Sequence, residues 1–492
     1  MSSVQRTRSL FVGMTSAERG GVLLLLVALV LGVGAFNLPL GEPPLIQVWL
    51  AFIAYGVVLA LPFIWYRPSW GWLHPLVFLV LWAELARSVL RKISIYATGL
   101  PAHDVMPAAS SAVLNGVVTE ALLLKAVGLM AMYTGFMSAG RLTAPRLEFK
   151  QPNHLALKTG VLTAVSLLAL LMLVNAAGSV GALMLQRGLP AEARIFTDPN
   201  MRIAAYMVGL LKPACLVWFA LKPKAWRSPV WLAFFGIAML IGFMATGSRS
   251  GVAIPVLQAG VIWILHNRRI PYQAIVIGFV FSMLVLGIGG AFRQASTEAE
   301  SLAEVEVDVG LVNSVTNGFQ GMVRYGASHS GYYAILASVP DNVGFLWGES
   351  YLSIPVAPIP SAVLPFEKPE AGGKLNAKRI FSIRSGGVPP GSIGEAYWNF
   401  GIPGVIVVMA LFGVVLKWFY RLYVVNQARG WVMVVYVITL FSLRPSSPPI
   451  YGWLHAMVPI AIYLILFCGF PATIRRDRHQ APWTGASADL GA

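Results

Sequence analysis

The sequence predicts an all-α polytopic membrane protein with about 12 transmembrane helices and one large periplasmic loop between spans nine and ten. Hydrophobic residues make up 57% of the 492 residues and charged residues only 11%, whereas soluble domains carry roughly 25% charged residues. The mean hydropathy is +0.71. Apolar runs such as 22–36 are continuous, which excludes the alternating pattern of barrel strands.

The predicted spans are helices because backbone polar groups within lipid must form their hydrogen bonds inside each span. Spans one to nine lie in region 1–292, and spans ten to twelve lie in region 401–470, followed by a tail, 471–492, that is predicted to be disordered. The predicted spans are 21–37, 48–65, 72–89, 113–137, 159–176, 203–221, 229–246, 251–266, 273–292, 401–419, 430–443 and 452–470.

The charges of the loops predict that both termini and the tail are cytoplasmic. Lysine and arginine are enriched in cytoplasmic loops of membrane proteins. In this orientation the cytoplasmic side receives Arg141 and Lys150 after span four and Arg475 after span twelve. The loop after span three, with Arg87, is the exception among the outer loops.

The longest segment between predicted spans is 293–400, and this orientation places it in the periplasm. A loop of this length is more often functional than a plain connection. Its sequence predicts a helix at about 311–338, an extended proline-rich piece over 353–365 and a basic, flexible piece over 371–387.

Several classes of function are excluded by composition. The net charge of +16 does not indicate nucleic-acid binding, because the basic residues are spread over short loops between apolar segments. Cys215 and Cys468 lie inside apolar segments, so neither a disulfide scaffold nor a zinc site is predicted. The sequence holds no phosphate-binding glycine loop and no dinucleotide fingerprint. We therefore expect no cofactor and no metal.

The turn between spans seven and eight holds the first catalytic candidate. It reads Thr-Gly-Ser-Arg-Ser-Gly over 246–251. Arg249 can bind an anion there, because a guanidinium matches phosphate oxygens and the start of the next helix adds N–H donors. The alternative is that Arg249 extends to a lipid headgroup.

The stretch 391–404 holds the second catalytic candidate. Glu395 suits acid/base chemistry, but Ser392 and Glu395 also have the S-x-x-E spacing of a helix-capping box. Two roles are considered for Tyr397, of which the aromatic belt is favoured over substrate binding. It either binds substrate or belongs, with Trp398, to the aromatic belt at the membrane surface.

The predicted loop helix supplies Arg324, Tyr325 and His329. On one α-helix Tyr325, His329 and Tyr332 share a face, and aromatic faces suit the C–H faces of sugar rings. His329 can accept a hydroxyl proton in such a place, whereas a histidine packed in an ordinary helix is the alternative. Arg324 lies about 140° from His329 around the helix axis, so the two point together only if the helix bends.

Further cations are predicted near the same side of the membrane. Arg444 follows span eleven and Arg384 lies in the long loop. Arginines that converge on one outer cavity suit a diphosphate. Lys212, an ionisable group inside a predicted span, is an additional candidate.

These stretches resemble, in the same order, the motifs of the oligosaccharide repeat-unit polymerases, the Wzy-type O-antigen polymerase family of bacteria. Arg444 stands where that family places an arginine after the penultimate helix. The matching pieces are the arginine turn 246–251, the loop motif beginning Gly348-Glu-Ser-Tyr351, and Gly394-Glu-Ala-Tyr-Trp-Asn-Phe-Gly401 before a late helix.

The resemblance covers roughly residues 240–470 and has one departure. Ser361 stands where the family often has an arginine after Ile-Pro. Lys368 and Arg384 are the candidates to replace that phosphate contact.

The resemblance implies a glycosyltransferase in the bacterial inner membrane. Because the sequence offers no carboxylate cluster to hold a divalent cation, we expect this enzyme to be metal-independent. Its activity would transfer a glycan from an undecaprenyl-diphosphate-linked donor to a lipid-linked acceptor on the periplasmic face, giving O-antigen, capsular polysaccharide or exopolysaccharide. A separate chain-length regulator is the implied protein partner. The catalytic candidates are Arg249, His329 and Glu395, and the substrate-binding candidates are Arg324, Arg384, Arg444, Tyr325 and Tyr397.

Two alternative functions stay open. An O-antigen ligase shares the donor but uses lipid A core as the acceptor. A lipid-linked oligosaccharide flippase would place cations along a central cavity and would need no long outer loop. Arginines at one face favour chemistry over transport.

Overall fold

A computed structural model gives the structure of the chain. It describes residues 13–36, 46–66, 70–81, 111–140, 142–148, 153–185, 195, 198–246, 250–273, 330–357, 359, 364–383, 387–426, 429–443, 449–468 and 472–473. This described part is helical apart from one pair of two-residue strands.

The helices follow the chain in a simple order. They are α1 (Ser16–Phe36), α2 (Ile46–Ile64), α3 (Pro75–Leu79), α4 (Ser111–Ser138), α5 (Leu155–Ala177), α6 (Val180–Leu185), α7 (Pro199–Gly209), α8 (Leu211–Leu221), α9 (Pro229–Thr246), α10 (Ser250–Asn267), α11 (Ser330–Ser338), α12 (Ser353–Val356), α13 (Gly372–Arg379), α14 (Gly391–Val425), α15 (Gly430–Ser442) and α16 (Pro449–Cys468). Two 3₁₀ turns, Ala225–Arg227 and Glu349–Leu352, and the strands β1 (Leu147–Glu148) and β2 (Ala472–Thr473) complete the described elements.

Within the described residues, five helical stretches are long and apolar enough to cross a membrane. They are Ile46–Ile64, Gly116–Ser138, Leu155–Ala177, Ile203–Leu221 and Gly391–Val425. Shorter apolar helices accompany them. The prediction of an all-α polytopic membrane protein is confirmed at this level, whereas the number of about 12 spans stays a prediction.

The helices lie close to the predicted spans, with two differences. The predicted span 203–221 is divided at Leu210, where α7 gives way to α8. Helix α14 begins at Gly391, ten residues before the predicted start of span ten. Span three is described only over 72–81, and span nine lies outside the described residues from 274 onwards.

Two predictions for the long loop are wrong in detail. The proline-rich piece expected to be extended begins with the short helix α12, and the piece expected to be flexible contains α13. The buried Asn376 holds α13 in place. Its Nδ2 donates to the carbonyl oxygens of Gly331 at 3.2 Å and Val388 at 3.0 Å. These bonds attach α13 to α11 and to the chain before α14.

Helices α4 and α14 cross at very short range. A Cβ added at Gly135 would overlap the carbonyl of Ala410, and a Cβ added at Gly413 would overlap the carbonyl of Met132. Small residues at a helix crossing let two backbones pack directly inside a membrane. This crossing fixes α14, which carries Glu395, against α4.

A kink divides α14 into two parts with different surroundings. Gly401 has φ +64° and ψ −156°, a conformation that suits glycine, and Phe400 is also non-helical. Residues 392–399 are all buried beneath the preceding loop. Beyond the kink the helix exposes apolar side chains such as Val407 and Leu411, which is typical of a lipid-facing surface.

The two ends of α4 contact different parts of the chain. Near its C-terminal end, Arg421 Nη2 donates to the carbonyl of Gly140 at 2.7 Å and Asn426 Nδ2 donates to that of Pro145 at 3.1 Å. Strands β1 and β2 pair antiparallel, so the segments after α4 and after α16 also meet. The N-terminal half of α4 instead contacts α11.

Candidate active site

Helix α11 holds the second half of the long loop against α4. The hydroxyl of Tyr332 donates to the carbonyl of Ala121 at 3.0 Å, and the ring is buried. A Cβ added at Gly394 would lie 2.7 Å from Cδ2 of Tyr332, so the ring packs directly on α14. Tyr332 therefore joins three segments and offers no free aromatic face to a sugar.

Two of the short motifs singled out in the sequence contact each other through Asn399. Its Oδ1 accepts from the backbone N–H of Gly348 at 2.9 Å, and its carbonyl accepts from Trp347 N at 3.2 Å. Its Nδ2 donates to Ser350 Oγ at 2.8 Å and to the carbonyl of Glu395 at 2.7 Å. One buried amide thus fixes the 347–350 turn on the first part of α14.

Glu395 is a buried carboxylate at the centre of this contact. The Ser350 hydroxyl donates to its side chain, and Ser350 is itself buried. A Cβ added at Gly372 would lie 2.5 Å from Oε1 of Glu395, so the carboxylate packs on the first residue of α13. The positive end of a helix and a hydroxyl donor both favour a negative charge, whereas burial opposes it.

The alternative role of Glu395 in a capping box does not fit this geometry. Helix α14 begins at Gly391 with Pro390 as its N-cap residue, so Ser392 lies inside the first turn. A capping box needs the serine at the N-cap position. The Glu395 side chain instead contacts Ser350.

Tyr351 lies beside the same carboxylate. Burial raises the pKa of the Tyr351 hydroxyl, and the charge of Glu395 raises it further, so the hydroxyl stays protonated at neutral pH. The buried hydroxyl finds no hydrogen-bond partner among the residues that the structure describes. It is a donor next to the catalytic candidate.

Tyr397 points away from Glu395 and towards α4. Its ring is buried, and its hydroxyl contacts the side chain of Glu120 and lies 3.5 Å from the carbonyl oxygen of Val339. In this structure Tyr397 links α14 to α4. Its role as a substrate-binding residue stays a prediction.

Six of the predicted site residues lie outside the described part of the chain. They are Arg249, Arg324, Tyr325, His329, Arg384 and Arg444. The surroundings of Arg249 are partly described, because α9 ends at Thr246 and α10 begins at Ser250. Lys212 Nζ donates to the carbonyl of Gly251 at 2.8 Å, so a second cation contacts the start of α10, two residues after Arg249 in the chain.

Lys368, one of the two candidates to replace the missing arginine, forms hydrogen bonds within the long loop. Its Nζ donates to the carbonyl oxygens of Ala357 at 2.8 Å and Ile359 at 3.0 Å. These bonds attach Lys368 to two described residues of the proline-rich piece. In the same loop, Arg379 Nη2 forms a 2.7 Å ion pair with Glu349 that is well exposed to solvent.

Comparison with known proteins identifies the family. The family described as O-antigen polysaccharide polymerase Wzy matches residues 201–470, which is more than half of the chain. The chain belongs to the O-antigen polysaccharide polymerase Wzy family. The Wzy match includes both motifs that meet at Asn399 and the turn that contains Arg249.

A curated relative gives weaker support. Protein CapE from Staphylococcus aureus is 28% identical over 171 residues, which are 34% of this chain and 35% of the relative. The match therefore spans about a third of that relative's length. No solved structure matches this Wzy family chain.

Three residues of the candidate site were not predicted as functional from the sequence. Ser350 and Asn399 stand inside the recognised motifs, but only the fold shows that they bond to each other and to Glu395. Gly372 lies in a piece that was predicted to be flexible. The sequence signal for Ser350 and Asn399 was their position inside the two recognised motifs.

Proposed function

We propose that this Wzy family member polymerises undecaprenyl-diphosphate-linked oligosaccharide repeat units at the periplasmic face of the inner membrane. The observation that carries the proposal is the family match over 201–470, since repeat-unit polymerisation is the activity of that family. The buried Glu395 within the matched region supplies a group suited to proton transfer. The product is O-antigen or a related surface polysaccharide.

The proposed reaction is a single glycosyl transfer. A hydroxyl oxygen at the non-reducing end of the incoming lipid-linked unit forms a bond to the anomeric carbon of the growing chain. The bond from that carbon to the lipid diphosphate breaks, and the diphosphate leaves with the electron pair. The hydroxyl proton passes to Glu395 or to His329, which remain the two candidates for the base.

Arginines are proposed to stabilise the leaving diphosphate. Arg249 is the main candidate, and Lys212 beside Gly251 adds a second positive charge to that turn. Arg324, Arg384 and Arg444 are proposed to bind diphosphate or sugar. Because cations of the chain can fill this role, we propose that the reaction needs no divalent metal.

The proposed orientation places both termini in the cytoplasm and Glu395 on the periplasmic side. Contacts among Gly140, Pro145, Arg421 and Asn426 bring together two segments that this topology places on the same side of the membrane. The bond between Tyr272 and Glu18 also joins two such segments.

Cysteine labelling tests this orientation at Ser382, an exposed residue after α13. In a variant without Cys215 and Cys468, Ser382→Cys should react with a membrane-impermeant maleimide added to intact spheroplasts. A cysteine at Lys224, an exposed residue before α9, should react only after lysis. The reverse pattern would show that the orientation is inverted.

Deletion of the gene distinguishes a polymerase from a ligase. Loss of the polymerase should leave single repeat units attached to lipid A core, seen as one band above the core on a lipopolysaccharide gel. Loss of a ligase would leave core without any repeat unit. The second pattern would contradict the proposed function.

A further inference from the structure

Trp347 is the most exposed large aromatic side chain in the described part of the outer loop. About 75% of its surface is accessible, although it directly follows the buried Leu346. Its φ of +48° lies in the left-handed region, which costs free energy for a residue other than glycine. A strained backbone that turns an indole into solvent calls for a functional reason.

The strain at Trp347 is maintained by the same residue that borders Glu395. Trp347 N donates to the carbonyl oxygen of Asn399 at 3.2 Å, and the next residue, Gly348, donates to Asn399 Oδ1 at 2.9 Å. Asn399 lies one helical turn after Glu395 and donates to its carbonyl. Asn399 Nδ2 also donates to Ser350 Oγ, and the Ser350 hydroxyl donates to the Glu395 side chain. The turn that carries Trp347 is therefore linked to the carboxylate through Asn399 and Ser350.

Phe400 supplies a second ring beside the indole. The Trp347 and Phe400 ring centroids are 6.5 Å apart with a 64° interplanar angle, and 39% of Phe400 is exposed. A Cβ added at Gly348 would lie 3.3 Å from Cζ of Phe400, so the ring packs on the turn itself. Phe345 supports Trp347 from the other side, with ring centroids 5.7 Å apart.

We propose that Trp347 and Phe400 form a stacking subsite for a pyranose ring of the glycan, next to Glu395. The C–H groups on one face of a pyranose carry partial positive charge, which suits the negative face of an aromatic ring. A subsite here would hold the acceptor or donor glycan while Glu395 acts on a neighbouring hydroxyl. This inference rests on the proposed function and adds the residues that recognise the sugar.

The surroundings favour a sugar over a lipid headgroup as the ligand. A tryptophan that only anchors the chain at the membrane surface needs no defined backbone angle. Trp347 instead has a fixed φ, and the solvent-exposed ion pair between Glu349 and Arg379 lies two residues further along the chain. Exposed charged side chains therefore lie close to Trp347 along the chain.

Direct binding of a glycan without its lipid tests this subsite. Repeat-unit oligosaccharide is released by mild acid from lipid-linked units and titrated into the purified full-length chain by isothermal calorimetry. We expect Trp347→Ala to raise the Kd about 5- to 10-fold and Trp347→Phe to stay within about twofold of the wild type. Trp65→Ala, at an exposed tryptophan directly after α2, is the matched control and should leave the Kd unchanged.

Each opposing outcome has a definite meaning. If the wild type shows no binding up to millimolar oligosaccharide, or if Trp347→Ala binds as the wild type does, the subsite is refuted. An equal effect of Trp65→Ala would show that the loss of binding is not specific to Trp347 and would also refute the subsite. Because binding needs no turnover, retained Trp347-dependent binding in a chain that does not polymerise would refute only the proposed function.

Discussion

Replacement of Arg249 by alanine is expected to lower the polymerisation rate about 100- to 1,000-fold, which corresponds to about 3–4 kcal/mol of transition-state stabilisation. The proposed reaction places new negative charge on the departing diphosphate, which the Arg249 guanidinium is proposed to stabilise. Arg249→Lys should recover only part of the rate, because an ammonium supplies charge without the bidentate geometry of a guanidinium. The rate is measured as loss of lipid-linked substrate in membranes that contain matched amounts of each variant.

Arg227→Ala is the matched control for Arg249. Arg227 is an exposed arginine directly before α9, at the opposite end of that helix, and its guanidinium lies 4.9 Å from the centre of the Trp226 ring. Its loss should change the rate by less than about twofold. Wild-type polymerisation by Arg249→Ala would show that Arg249 contacts lipid headgroups and not the substrate.

Replacement of Glu395 by glutamine is expected to lower the rate about 100- to 10,000-fold if Glu395 takes the acceptor proton. Glutamine keeps the size of the side chain, and its amide oxygen can still accept from the Ser350 hydroxyl. The glutamine side chain should therefore keep the close packing on Gly372, and the fold should be retained. Turnover of lipid-linked substrate and the thermal melting of the purified chain are measured together.

Glu349→Gln serves as the control for Glu395. Glu349 follows Leu346 by three residues, and the backbone N–H of Leu346 donates to the carbonyl of Trp398 on α14. The Glu349 carboxylate itself is well exposed and, among the described residues, pairs only with the exposed Arg379. Such a pair contributes little to stability. A full rate in Glu395→Gln with unchanged melting would assign Glu395 to packing and leave His329 as the base.

The sequence predicted the helical architecture well because continuous apolar runs define membrane helices almost independently of tertiary contacts. The helix Pro229–Thr246 has the same bounds as its predicted span. The early start of α14 was missed because 391–400 is less apolar than the span that follows and is helical through its burial under the loop. The kink at Gly401 depends on backbone angles that composition does not reveal.

The candidate site was predicted only in part. The motif around Glu395 pointed to the carboxylate, but the choice between acid/base chemistry and a capping box needed the start of α14 and the Ser350 contact. Asn399 acts across 51 residues of sequence when it accepts from Gly348. Such pairings follow from the chain path and not from local periodicity, so motif spacing alone could not reveal them.

The central claim is that this chain joins lipid-linked repeat units into a polymer, and reconstitution tests it most directly. The purified full-length chain is placed in phospholipid vesicles with undecaprenyl-diphosphate-linked repeat units as the sole glycan, with EDTA present and absent. We predict a ladder of products that grows by one repeat unit per step in both conditions and is lost in Glu395→Gln. If the folded wild-type chain makes no product longer than one repeat unit, either with or without EDTA, the central claim is contradicted.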